Sequence, residues 1–318
     1  MTSIASPALW VGFAVLVLAM LALDLGLLRK DSHEVGVREA AIWSAVWIGT
    51  AVAFNVVVYF TFGGARALEF TTAYLIEKAL SVDNIFVFLV VFSTFAVPVR
   101  YHHRVLFWGI LGALVMRGVF IAAGTTLLAH FSWIVYVFGA ILVWSGVKLF
   151  RDNDDEIHPE QNPIVKAFQK VVPLTSGYRG ASFFVREDGR VKATPLLVVL
   201  VALEASDIIF AVDSVPAVLA VSTDVFIVYT SNIFAILGLR SLYFVLSGVL
   251  RRFHLLRYGL SLVLVFVGLK MVGAKWYHVP ISYSLAVIAL LIGGAVAASL
   301  VWPPREEEEP APEEGRSS

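Results

Sequence analysis

Long apolar runs separated by short polar or charged breaks follow one another from residue 8 to residue 302. A helix needs about 20 mostly apolar residues to cross a bilayer. The pattern predicts about nine spanning helices, at residues 8–28, 40–62, 70–96, 105–128, 131–150, 194–221, 225–249, 257–274 and 281–302. The breaks near Arg66, His130 and Thr223 are short, so those helices meet through tight turns. The fold class is all-α, a polytopic transmembrane helix bundle.

The pattern changes character twice. Residues 1–150 form a first transmembrane half with spans one to five, 151–193 a small cytoplasmic insertion, and 194–302 a second half with spans six to nine. The insertion opens with the turn-rich run RDNDDEIHPEQNP and continues through a short amphipathic piece, IVKAFQKVV. In FFVREDGRVKA the pair Asp188-Gly189 lies between β-prone flanks and predicts a hairpin. The segment reads as a folded linker between the halves, with room for a protein partner. Residues 303–318 are rich in Pro and Glu, a composition that buries no core and predicts a disordered tail.

Composition sharpens the membrane reading. Of 318 residues, 59% are hydrophobic and only 15% charged, where soluble domains have roughly 25%; mean hydropathy is +0.83. Net charge is zero, which argues against a nucleic-acid partner. The absence of cysteine excludes disulfides and thiolate metal sites, and the few Met and His argue against a soft-metal relay. The first apolar run has no basic residue before it and no small-residue cleavage pattern after it, so it reads as a first spanning helix. With the N-terminus outside, one set of loops carries fifteen Lys and Arg and the other only Arg66 and Lys275. The positive-inside rule then places the C-terminus in the cytoplasm. His102 and His103 fall in the predicted cytoplasmic turn after the third span and read as solvated.

The candidate chemistry lies where the apolar pattern is broken from within. LEASDIIFAVDSVP, from Leu203 to Pro216, sets Glu204, Asp207 and Asp213 inside an otherwise apolar span. A carboxylate at the bilayer centre costs about 2.5–3.5 kcal/mol on the insertion scale, so three in one span point to function. IEKALSVDNIFVF, from Ile76 to Phe88, echoes it with Glu77 and Asp83. Asp83-Asn84-Ile85-Phe86 resembles Asp207-Ile208-Ile209-Phe210, and Ser81-Val82-Asp83-Asn84 resembles Ala211-Val212-Asp213-Ser214. The two spans run oppositely in this topology, as in the inverted repeats that build midplane transporter sites. On regular helices Glu77, Ser81 and Asn84 share one stripe, and Asp207, Ala211 and Ser214 another. Pro216 removes the partner of the Val212 carbonyl and predicts a kink beside Asp213. Such oxygens suit hard cations, Mg²⁺, Ca²⁺ or Mn²⁺. Five in-span carboxylates face the in-span cations Lys78, Arg117 and Arg240, an excess of negative charge that one divalent ion balances; the same groups could equally be structural ion pairs. Gly109, Gly112, Gly139, Gly238 and Gly268 read as close-packing positions, and Trp10, Trp276 and Trp302 as an interfacial belt.

EKALSVDN (77–84), TPLLVVLVALEASDIIFAVDSVPA (194–217) and FIVYTSNIFAILGLRSLYF (226–244) resemble the TerC/Alx family of bacterial membrane proteins, over a stretch from about Asp24 to the last span. The resemblance implies metal-ion homeostasis at the inner membrane, with manganese export for the better-understood members and tellurite resistance behind the family name. It carries functional weight to Glu77, Asp83, Asn84, Asp207, Asp213 and Ser214; Ala205 departs from the polar residue common nearby. The expectation is a divalent-cation transporter, not an enzyme. Mn²⁺ is its cargo, no prosthetic group is needed, and the cation is bound by Asp83, Asp207, Asp213, Glu77, Asn84 and Ser214. Glu204, Lys78, Arg117 and Arg240 are supporting charge partners. The alternative is a non-transporting scaffold in a metal or tellurite stress-resistance complex. An intramembrane aspartyl protease would need Asp83 and Asp207 to share a proton, but the glycine context of such proteases is absent.

Overall fold

A computed structural model describes residues 3–26, 36–151, 159–187, 189–246, 255–277 and 279–302. Eleven α-helices run through them: α1 (Pro7–Gly26), α2 (Val37–Phe62), α3 (Gly64–Thr94), α4 (Val99–His130), α5 (Ile134–Arg151), α6 (Pro163–Val171), α7 (Pro195–Leu219), α8 (Val225–Leu237), α9 (Leu239–Leu246), α10 (Leu256–Gly273) and α11 (Ile281–Val301). Each predicted span is matched by one of them, except that the seventh is divided between α8 and α9. Six helices (α2, α4, α5, α7, α10 and α11) are long and apolar enough to cross a membrane, and the pair α8 and α9, bent by 41°, would make a seventh. The helix α1 offers a shorter apolar stretch, Pro7–Leu23. The helix α3 has the length but carries Glu69, Glu77, Lys78 and Asp83. The Arg29-Lys30 stop, the acidic tail 303–318 and most of the polar run opening the insertion lie outside the described residues, as does the side chain of Asp83.

Apolar side chains face outward on α1, α2, α4, α5 and α11, with Val15, Phe60, Val115, Trp144 and Leu290 all well exposed. Such a surface suits lipid. Polar groups gather on the inner helices instead: α7 and α8 each pack on α3 and α4, and α8 is buried along nearly all its length. An aromatic cluster of Phe13, Phe54, Phe70, Phe226 and Phe234 fills the space between α1, α2, α3 and α8. Trp10 turns inward onto Phe226, with centroids 5.2 Å apart, while Trp276 and Trp302 are exposed.

Helix directions follow from pairs of contacts. The start of α3 meets the start of α8 through Ser222 Oγ donating to Glu69 Oε2 at 2.6 Å. Further along, Lys78 Nζ donates to the carbonyl of Ala235 at 3.1 Å, so α3 and α8 run parallel. Asp224 caps α8, accepting from the backbone N–H groups of Phe226 and Ile227, and also accepts from Ile4 N at 2.8 Å, tying down the N-terminal segment. Gly63 joins α2 to α3 at φ +89°, a conformation a side chain would strain.

Two expectations need correction. The seventh span is not one rod: it breaks at Gly238, where a Cβ would press on Trp47 and on Lys78 Nζ, each 3.1 Å away. Lys78 supplies the hydrogen bond that the Ala235 carbonyl loses at the break. His102 is neither in a turn nor solvated; it is buried in the first turn of α4, stacked on Phe92, with Nε2 2.9 Å from the Val97 carbonyl and Nδ1 2.9 Å from the Tyr243 hydroxyl.

The insertion is docked on the helices around it. Asn162 caps α6, accepting from Ile164 N at 2.9 Å, and Val165 is fully buried. The predicted hairpin is present as β1 (Phe184–Glu187) and β2 (Arg190–Ala193), with Gly189 at φ +75° in its turn. Glu187 lies below the ordinary carboxylate range because Arg179 Nε donates to it at 2.7 Å. Tyr178 donates to the carbonyl of Phe95 at 2.7 Å, and the Arg104 guanidinium lies over the Phe183 ring, fixing the insertion to the α3–α4 corner.

Helices α5 and α10 pack backbone to backbone. A Cβ at Gly268 would lie 2.7 Å from the Gly139 carbonyl, one at Gly146 would lie 2.8 Å from the Ser261 carbonyl, and Ser261 Oγ donates to Gly146 O at 2.6 Å. Small residues allow this approach where lipid offers no hydrophobic drive between helices. Gly268→Val should therefore destabilise the protein by about 1–3 kcal/mol, read as a lower melting temperature in detergent. Gly293→Val, at a position with open space around it, should melt like the parent.

Candidate metal-ion site

Arg117, on α4 and 1% exposed, organises the polar interior. Its Nη1 pairs with Glu77 Oε1 of α3 and donates to Ser214 Oγ of α7 at 3.0 Å. Its Nη2 and Nε reach the two carboxylate oxygens of Asp207 at 3.2 and 3.5 Å. Asn84 Nδ2 donates to Asp207 Oδ1 at 3.4 Å. Glu77 is level with Ser214, and Asn84 with Asp207, so α3 and α7 cross antiparallel. The stripes at positions i, i+4 and i+7 on each helix therefore face one another across the guanidinium.

The sequence-predicted residues divide. Glu77, Asn84, Asp207, Ser214 and Arg117 come together. Asp213 does not: six residues beyond Asp207 it faces another side of α7, where it accepts from Ser145 Oγ of α5 at 2.6 Å. Glu204 lies one turn from Asp207 and lines a small cavity with it, among Gly109 and Ala113 of α4. Lys78 serves the break after α8, and Arg240 is buried in the first turn of α9. Among the described residues, no three His, Asp or Glu side chains gather as a metal-binding group.

Sequence reasoning missed Asn232. One turn before it on α8, Val228 belongs to the buried cluster that contains Ala73 and Ile76 of α3 and Ala211 and Val215 of α7. Asn232 thus lies on the face of α8 turned to the stripes. Its amide oxygen and nitrogen find no partner among the described residues, and neither do Ser81 Oγ and Asn84 Oδ1. Each buried polar group left unpaired costs about 1–3 kcal/mol. Ser81 and Asn84 on α3 and Asn232 on α8 are groups that bound water or an ion would satisfy. A lone amide in the apolar run 225–237 was the available signal; without the helix contacts nothing linked it to Glu77.

The family model described as "Integral membrane protein TerC family" matches residues 62–307, which include every residue of this site. The chain belongs to the TerC family. It is 52% identical to "Uncharacterized membrane protein STKORF319" of Myxococcus xanthus, over 94% of each chain. It is 47% identical to "Putative membrane-bound redox modulator Alx" of Escherichia coli K12, over 91% of this chain and 92% of that one. A membrane protein of Rickettsia felis is 39% identical over 91% and 96% of the two chains. No solved structure matches. As a TerC protein the chain is an integral membrane protein with several apolar helices, and the TerC match begins at the end of α2, so α3 to α11 make up its core.

Removing one partner of a buried ion pair costs about 3–5 kcal/mol, because the other charge stays buried. Glu77→Gln should therefore lower the melting temperature of the purified protein strongly. Ser214→Ala, which removes one hydrogen bond worth about 1 kcal/mol, should lower it slightly. Equal melting of Glu77→Gln and the parent would show that the ion pair does not hold the helices together.

Proposed function

We propose that the protein transports a divalent metal ion across the cell membrane, with manganese export the favoured direction and cargo. The observation that carries this reading is the convergence of Glu77 and Asp207, from antiparallel inner helices, in a buried setting with the unpaired oxygens of Ser81, Asn84 and Asn232. Carboxylate, amide and hydroxyl oxygens are the ligands hard divalent cations take. Asp213, facing another side of α7, serves in this reading as a separate station on the path, and Asp83 stands beside Asn84 in sequence.

In this reading α1 and α3 cross with the other spans, giving nine crossings, an outer N-terminus and a cytoplasmic insertion. The inner helices also support an inverted repeat. Of the two alignments of the acidic motifs, the one pairing Asp83 with Asp213 also pairs Glu77 with Asp207, and both of these meet Arg117.

Arg117 itself favours a second reading. A guanidinium between two carboxylates is also what a packing device needs, and a non-transporting scaffold would use the docked insertion to bind a partner. The redox role in the name of the Alx relatives, carried over, would have to act without thiol chemistry from this chain, which has no cysteine.

The deciding experiment measures cellular Mn²⁺ in a bacterium lacking its own exporter. Expression of the parent should lower Mn²⁺, and Asp207→Asn should abolish the effect. Asp213→Asn should retain a larger share of it. An Asp207→Asn variant as effective as the parent would remove the transport site from this cluster.

A further inference from the structure

A site built for a cation is already held by one. Arg117 occupies the position between Glu77 and Asp207 that a divalent ion would take, and its guanidinium also ties up Ser214. Transport as proposed above requires this charge to move, and the structure provides a place for it. Helices α4 and α7 run parallel, as contacts from Gly109 to Leu203 and from Gly124 to Leu219 show. Glu204 precedes Asp207 by about one turn. Among the described residues it makes no ion pair, and its carboxylate lies against Gly112, where any Cβ would collide with it. The cavity that Glu204 and Asp207 line includes Ala113, one turn before Arg117. Helical side chains lean toward the N-terminus of their helix, so the arginine stem already leans toward that cavity.

We propose that Arg117 is the resident counter-cation of the site, and that an entering divalent ion drives its guanidinium from Glu77 to Glu204, one helical turn along α4. The exchange frees Glu77 and Asp207 as two anionic ligands. The unpaired oxygens of Ser81, Asn84 and Asn232 complete a set of oxygen donors of the number a hard divalent cation uses. Gly112 is the residue that lets Glu204 wait against α4. The inference rests on the transport reading and adds a requirement to it: no ion enters unless the arginine leaves, so the empty site never exposes two bare carboxylates inside the membrane.

The test is Mn²⁺ titration of the full-length protein in detergent by calorimetry. Arg117→Gln removes the competitor and should bind Mn²⁺ about tenfold more tightly. Glu204→Gln removes the refuge and should weaken binding about tenfold in the parent and leave it unchanged in the Arg117→Gln background. Gly112→Ala, which displaces only the flexible end of Glu204, should behave like Glu204→Gln. An Arg117→Gln affinity no tighter than the parent's overturns the proposal. So does an equal effect of Glu204→Gln in both backgrounds, which would make Glu204 a ligand.

Should Arg117→Gln not fold, Ala113→Cys in the otherwise cysteine-free chain decides. Mn²⁺ should slow alkylation of the thiol as the guanidinium fills the cavity, and should not do so when Glu204→Gln is added. Alkylation indifferent to Mn²⁺ overturns the proposal. A parent protein that binds no Mn²⁺ in calorimetry would sink the transport reading itself, a different outcome from binding that ignores Arg117.

Discussion

Three ionisable groups buried among apolar helices must satisfy one another, because burial takes them away from bulk solvent. Glu77, Arg117 and Asp207 come from three different helices, so their pairing fixes α3, α4 and α7 relative to each other. The low polarity that makes an unpaired charge costly also makes the paired geometry hard to leave. The antiparallel crossing of α3 on α7 and the parallel run of α4 beside α7 are the arrangements in which one guanidinium reaches all of its partners. Small residues at Gly112, Ala113 and Ala211 allow those helices to come close enough.

Around this group the bundle sorts its polarity inside out. Lipid-facing positions on α1, α2, α5 and α11 are apolar, while hydroxyls, amides and charges sit inside on α3, α7 and α8. Most interior polar groups are matched within the bundle: Lys78 meets the carbonyl exposed by the break at Gly238, Ser145 meets Asp213, and His102 bridges Val97 and Tyr243. Ser81, Asn84 and Asn232 are among the buried groups left without a partner among the described residues, on helices that pack beside the ion pair. Local inconsistency of this kind is where function is found in otherwise self-consistent folds.

The spans themselves were legible because the period and length of apolar runs report directly on the solvent a helix meets. Asp188-Gly189 marked the hairpin for the same local reason. The acidic motifs announced themselves through the cost of charge in a membrane. Which acids meet was not legible. Asp207 and Asp213 look alike in sequence, yet six residues along a helix turn them to different neighbours, one toward Arg117 and the other toward Ser145. His102 looked like a loop residue because α4 begins sooner than its apolar run.

The sequence by itself determined that this chain is a membrane helix bundle carrying buried acids, since hydrophobic length and charge content are properties of the residues alone. Only the tertiary structure decided that Arg117 stands between Glu77 and Asp207, that Asn232 is buried on a helix packed against α3, and that Glu204 lies against Gly112. Those relations join residues that lie tens of positions or more apart along the chain. They depend on the rotation of each helix about its own axis, which contacts between helices set and no single run of sequence records.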